Sequence, residues 1–138
     1  VERHREDFLK LVRGGVDILF ANETEITALY HLNSFEEAAS AVRAEVEIAV
    51  LTRSENGSLI VSGNDLIEIP AHPVEKVVDA TGAGDLYAAG FLYGLTRGAP
   101  PETCGRLGAL AASEVISHIG ARPETSLHTL ARTAGLID

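Results

Sequence analysis

The 138 residues are 46% apolar and 22% charged, the balance of one soluble globular domain or a large piece of one. Eleven basic against twenty acidic residues give a net charge of −9, which argues against a nucleic-acid partner, whose phosphates need a basic surface. A single cysteine, Cys104, rules out an internal disulfide; with no membrane-length apolar run and no signal-peptide pattern, the protein is expected to be cytoplasmic.

Phe8, Leu9, Leu11 and Val12 among charged neighbours predict a short amphipathic helix over 1–13, stopped by Gly14-Gly15. Methionine is absent and Val1-Glu2-Arg3-His4-Arg5 already reads as a helix start, so the chain is expected to be an excerpt of a longer protein. Asp17 to Ala21 suits a buried strand, after which Asn22 opens a helix; a further helix covers 35–43, and Val46 to Leu51 reads as a second buried strand. The Asn56-Gly57 turn leads into strand-like Ser58–Val61, and Gly63-Asn64-Asp65 turns into Leu66–Ile69. A polar stretch with Pro70 and Pro73 reaches Val77-Val78-Asp79. Helices are then predicted over 82–96, ended by Gly98-Ala99-Pro100-Pro101, over 102–118, and from Pro123 to 133.

Strands alternating with helices predict an α/β fold, a partial doubly wound and mainly parallel sheet flanked by helices. Ligands in such sheets sit beyond the carboxyl ends of strands. The segments at Asn22, Thr52 and 79–85 all follow predicted strands, so all three are expected to face one site. So few strands leave a sheet edge that chain before residue 1 is expected to cover.

Chemistry concentrates in Asp79-Ala80-Thr81-Gly82-Ala83-Gly84-Asp85. Gly82 and Gly84 allow positive φ and close approach of a ligand to the backbone. The helix that begins there offers unpaired N–H groups and a positive dipole end, together an anion hole for a phosphoryl group. Asp85 would repel a phosphate, but it can take the proton of a hydroxyl held beside one. Read blandly, Asp85 complements the helix dipole and the glycines make a turn. The helix that follows is nearly all apolar through Leu95, and Gly90 and Gly94, four apart, let another helix pack closely; both features favour function.

This run resembles the C-terminal signature of the ribokinase and adenosine kinase (PfkB) family, Asp-Thr-x-Gly-Ala-Gly-Asp, with Ala80 in place of the common Thr. The resemblance spans nearly the whole chain and implies a ribokinase-like fold, with Asp85 as catalytic base and the amides of Ala83, Gly84 and Asp85 as the anion hole behind Gly82. Asn22-Glu23-Thr24-Glu25 has the spacing of a capping box that needs no ligand. The resemblance adds that Asn22 approaches ATP phosphates and that Glu25 holds hydrated Mg²⁺. By itself, Thr52-Arg53-Ser54-Glu55-Asn56-Gly57 is a turn; by resemblance, Thr52 and Gly57 line the nucleotide site, while Arg53 either reaches a phosphate or sits in a surface ion pair. Asp79, Thr81 and Gly120 are the implied ligands of a monovalent cation, K⁺. The small-residue stretch Ala109–Ser113 either flanks the adenine or packs against Gly90 and Gly94.

The implied reaction is ATP-dependent phosphorylation of a hydroxymethyl group on a nucleoside, adenosine first, or on a sugar. Only the C-terminal, nucleotide-binding half of the family's length is matched. The sugar-binding Gly-Gly region and the β-sheet lid, through which members often pair as homodimers, belong to the other half, so this chain alone is expected to be inactive. The alternative is a non-catalytic nucleotide-binding or regulatory module on the same fold. Neither a P-loop motif nor an early dinucleotide fingerprint is present. The five histidines lack metal-ligand spacing, and Cys104, aligned with Leu107 and Ala111, reads as packing.

Overall fold

A computed structural model describes residues 4–13 and 17–138. Residues Gly14 and Gly15, the predicted stop of the first helix, lie outside the described residues, as do Val1 to Arg3. The chain divides into two compact units, 1–68 and 69–138.

In the first unit, α1 (Arg5–Arg13) precedes β1 (Ile18–Asn22), α2 (Glu23–Tyr30), α3 (Phe35–Arg43) and β2 (Ile48–Thr52). After a 3-10 turn at Ser54–Asn56 come β3 (Ser58–Ser62) and β4 (Asp65–Ile69), whose last residue begins the second unit. The strands lie in the order β1-β2-β3-β4. β1 and β2 run parallel, joined by the two helices, whereas β2 and β3 are antiparallel. The link 53–57 dictates this, because a parallel crossover needs about a dozen residues or more. The sheet is therefore mixed, and its parallel part is the β1–β2 pair. Ala49, Val50 and Leu51 are all fully buried, so β2 is covered on both faces, which is why it reads as an unbroken apolar run. Ile26 and Leu29 of α2 and Phe35, Ala38 and Val42 of α3 pack over Ala49, Leu51 and Val61.

The second unit holds α4 (Ala83–Thr96), α5 (Pro101–Ile116) and α6 (Leu127–Thr133). α4 and α5 meet through glycine. A Cβ on Gly90 would stand 2.6 Å from the Leu107 carbonyl oxygen, and one on Gly94 2.9 Å from Leu107 Cδ1 and 3.0 Å from Cys104 Sγ. From the other side, Gly108 receives the Tyr87 ring, 2.8 Å from where its own Cβ would be. Cys104 is fully buried in this seam, as its helical position predicts, and burial pushes its thiol pKa up.

Two expectations change here. Val77-Val78-Asp79 forms no strand. The amides of Val78 and Asp79 both donate to the Ile116 carbonyl, at 2.8 and 3.3 Å, so the last turn of α5, and not a ladder, holds them. The final helix begins at Leu127 and not at Pro123, because Ser126 caps it by accepting from the Thr129 amide, and the Glu124 and Thr125 amides are bound elsewhere.

Candidate active site

Parallel pairing in register sets Asn22 beside Thr52 at the carboxyl ends of β1 and β2. A polar cavity of about 250 Å³ opens there, lined by Asn22, Glu23, Thr52, Arg53, Ser54 and Asn56 among others, in the position where open α/β sheets bind ligands. Asn22 closes a full capping box: its Oδ1 accepts from the Glu25 amide at 2.8 Å, and Glu25 Oε2 accepts from the Asn22 amide at 2.9 Å. Glu25 is thereby held one turn into α2 but does not line the cavity, and neither does Gly57. Gly57 supports the loop from behind, its carbonyl accepting from the Arg53 amide at 2.8 Å, with φ at +84°. Arg53 lies 4.1 Å above the Phe35 ring and 3.5 Å from Glu23 Oε2, in the surface ion pair expected of it. No residue pattern marks Ser54, which lines the cavity with φ at +51°, a conformation a non-glycine residue adopts at a cost.

In the second unit, three predicted residues converge on one carboxylate. Asp79 Oδ1 accepts from the Thr81 hydroxyl at 2.6 Å and the Thr81 amide at 3.0 Å, while Oδ2 accepts from the Gly120 amide at 3.1 Å. The Thr81 hydroxyl, then the two amides, pull the Asp79 pKa down to about 2. A carboxylate offers roughly four acceptor positions, so one remains on Oδ2 for a cation. Gly120 meets Asp79 through its N–H, not its carbonyl.

Gly82, at φ +81°, turns the chain into α4, and no side chain caps that helix. A Cβ at Gly82 would lie 2.6 Å from Ala121 Cβ, so the loop after α5 abuts this turn. One at Gly84 would meet nothing within 4 Å. The Ala83 amide donates to the Ala80 carbonyl at 3.2 Å, so an incoming oxygen would share or replace that bond. Asp85 is exposed in the first turn and is not drawn into packing. The stretch Ala109–Ser113 serves the helix seam in part, with Leu110 and Ala111 buried and the Ser113 hydroxyl bonded to the Leu110 carbonyl.

A cluster that the sequence did not reveal lies on the same loop. Glu114, its side chain 6% exposed, accepts through Oε1 from His118 Nε2 at 2.8 Å and from the amides of Glu124 at 3.0 Å and Thr125 at 3.2 Å. Its Oε2 is buried without a hydrogen-bond partner among the described residues, a burden of about 1–3 kcal/mol. His118 Nδ1 lies 3.1 Å from the Ile119 carbonyl, and this contact, followed by Glu114, raises the His118 pKa. The i, i+4 spacing of Glu114 and His118 just before Gly120 was the available signal.

Among the described residues no three His, Cys, Asp or Glu side chains gather as a metal centre. No described helix is long and apolar enough to cross a membrane.

A strand-end pocket, an uncapped Gly-x-Gly-Asp helix entrance and the α/β layering together define a ribokinase-like protein. Residues 2–128 match the pfkB family carbohydrate kinases, and the chain belongs to that family. It is 51% identical, with a TM-score of 0.97, to a probable sugar kinase of Rhizobium etli, covering 99% of this chain and 42% of that one. Adenosine kinase of Sinorhizobium meliloti gives 50% identity and a TM-score of 0.94 over 97% of this chain and 41% of that one. Cytidine kinase of Thermococcus kodakarensis is 39% identical over 119 residues, 84% of this chain and 42% of the relative. The chain thus spans about two-fifths of the length of these proteins.

Proposed function

We propose that this chain is the nucleotide-binding, catalytic part of an ATP-dependent kinase that phosphorylates a hydroxymethyl group on a nucleoside, with adenosine ahead of a sugar. The observation that carries the reading is the entrance to α4, where Gly82 at φ +81° delivers the chain into a helix with no side-chain cap and with an exposed aspartate, Asp85, in its first turn. Glycine at 84 leaves the leading amides uncovered, with nothing within 4 Å of where its Cβ would stand, so a ligand oxygen can approach the backbone beside the carboxylate. The kinase names of the similar proteins support the same class.

In this mechanism Asp85 accepts the proton of the substrate hydroxyl as its oxygen forms a bond to the γ-phosphorus. The bond from that phosphorus to the β–γ bridging oxygen breaks, and ADP departs. Leading amides of α4, those of Gly84 and Asp85 first, face the transferring group and stabilise its charge. Asn22 approaches the nucleotide phosphates, Thr52 lines the nucleotide site with Gly57 shaping the loop behind it, and Glu25 would hold Mg²⁺ through water. Bound Mg²⁺ neutralises phosphate charge. Asp79, with Thr81 and Gly120, would hold K⁺ beside the loop at the position left on Oδ2.

The substrate-binding and lid portion is assigned to the part of the whole enzyme that precedes this chain, so residues 1–138 alone are not expected to turn over. Pairing of the whole enzyme through its lid and a cytoplasmic location complete the proposal; the lone, buried Cys104 suits a reducing compartment. The alternative, a non-catalytic nucleotide-binding or regulatory module, is disfavoured by Asp85, since a carboxylate facing phosphate weakens binding and helps only proton transfer. In the whole enzyme, Asp85→Asn should lower kcat by about 10²–10⁴-fold while ATP still binds. Near-normal turnover of that variant on a nucleoside and sugar panel would refute the assignment.

A further inference from the structure

Glu114 has no place in the mechanism above, yet it is buried, it organises a loop, and its Oε2 has no hydrogen-bond partner among the described residues. We infer that Glu114 is a positioning residue for the phosphoryl-transfer loop: through its clasp on 118–125 it seats Gly120 and Ala121 against Asp79 and Gly82. The inference rests on the proposed kinase function.

The chain of contact is continuous. Glu114 Oε1 gathers three donors, His118 Nε2 at the near end of the loop and the Glu124 and Thr125 amides at the far end. Between these anchors the loop projects the Gly120 amide onto Asp79 Oδ2 and sets Ala121 Cβ 2.6 Å from where a Gly82 Cβ would stand. The helix that carries Glu114 ends two residues on, at Ile116, whose carbonyl holds the Val78 and Asp79 amides. Both flanks of the 79–82 turn are thus fixed from the end of α5. Asp85 sits one turn further on, so its distance from a bound hydroxyl depends on this seating. Stability alone is a poor account of a buried carboxylate with an orphan oxygen, because an apolar side chain of similar size often serves stability as well.

The test compares Glu114→Leu, Glu114→Gln, Ala121→Gly and Asp85→Asn in the whole enzyme. Glutamine keeps an oxygen that accepts from the Glu124 and Thr125 amides, whereas leucine fills the space and accepts nothing. Glu114→Leu is expected to lower kcat on the order of tenfold to a hundredfold, the scale set by misplacing a reacting group by about an ångström. KM for ATP should change far less, and Glu114→Gln should restore most of kcat. Amide hydrogen exchange over 79–85 should quicken in Glu114→Leu while the seam residues 87–94 and 104–111 stay protected. Ala121→Gly, on an exposed loop position, should quicken the same 79–85 amides without unfolding anything, which decides the matter should Glu114→Leu not fold. Wild-type kcat in Glu114→Leu, or faster exchange confined to 118–126 in both variants, overturns the inference. Failure of the kinase reading looks different: the wild type, or Asp85→Asn, then departs from its expected turnover, and exchange at 79–85 still tests the clasp.

Discussion

The two helix entrances, α2 and α4, solve one problem in opposite ways. α2 begins with Asn22 and Glu25 each accepting from the other's amide, so its first turn is satisfied by its own side chains. α4 begins at Gly82 with no side chain to accept from its leading amides and with an aspartate in the first turn. What anchors α4 lies elsewhere: the Gly90/Gly94 seam against α5, the Asp79 turn upstream and the loop after α5. A helix held along its length and from behind can leave its tip open to a ligand. One held by its tip cannot do so without cost.

Substitutions can break that contrast. Asp85→Asn carries the largest expected effect, on turnover alone, and should leave the urea midpoint near that of the wild type, since Asp85 is exposed and outside the packing. Gly90→Ala attacks the seam: its Cβ would meet backbone at 2.6 Å, and overpacking of this kind costs about 1–3 kcal/mol by urea denaturation. A cost near zero would mean that α4 is not anchored by this face. For α2, Asn22→Ala should cost about 1 kcal/mol through the lost cap. Asn22→Asp keeps an acceptor for the Glu25 amide and should preserve stability while weakening nucleotide binding, because it adds a negative charge to the cavity lining. Equal nucleotide affinity in Asn22→Asp and wild type would reduce Asn22 to a cap.

The smallest effect concerns Asp79. Its folded pKa of about 2 lies below the ordinary 3.8, so its contribution to stability is fully present above the unfolded value. That contribution is lost as pH falls through about 2. Acid-denaturation curves of wild type and Asp79→Asn should therefore differ by a constant gap above about pH 4 that closes below it. A gap that does not change with pH would show that Asp79 keeps an ordinary carboxyl.

Much of this was legible in the chain. The largely apolar run at 46–51, the Asn22 cap and the Gly90/Gly94 spacing each write a local physical need into a local pattern, and β2, α2 and the α4–α5 seam followed. Legibility failed where partners are remote in sequence. Nothing near Val77 announces that the Ile116 carbonyl will take two of its neighbours' amides, and so a strand was expected there. Glu124 and Thr125 read as helix because their amides' true acceptor, Glu114, lies about ten residues back on another helix. For the same reason Glu114 escaped notice, and Ser54's positive φ is a loop property that composition does not encode.

Cys104 offers a use beyond packing. It is the chain's one thiol, sealed between α4 and α5 with its ionisation suppressed by burial, so reagent can reach it only when the two helices part. The rate at which a thiol probe labels it is then a stopwatch for that parting. Slowing of the stopwatch on adding nucleotide would report, from deep inside the protein, how tightly cargo at the surface clamps the helices together.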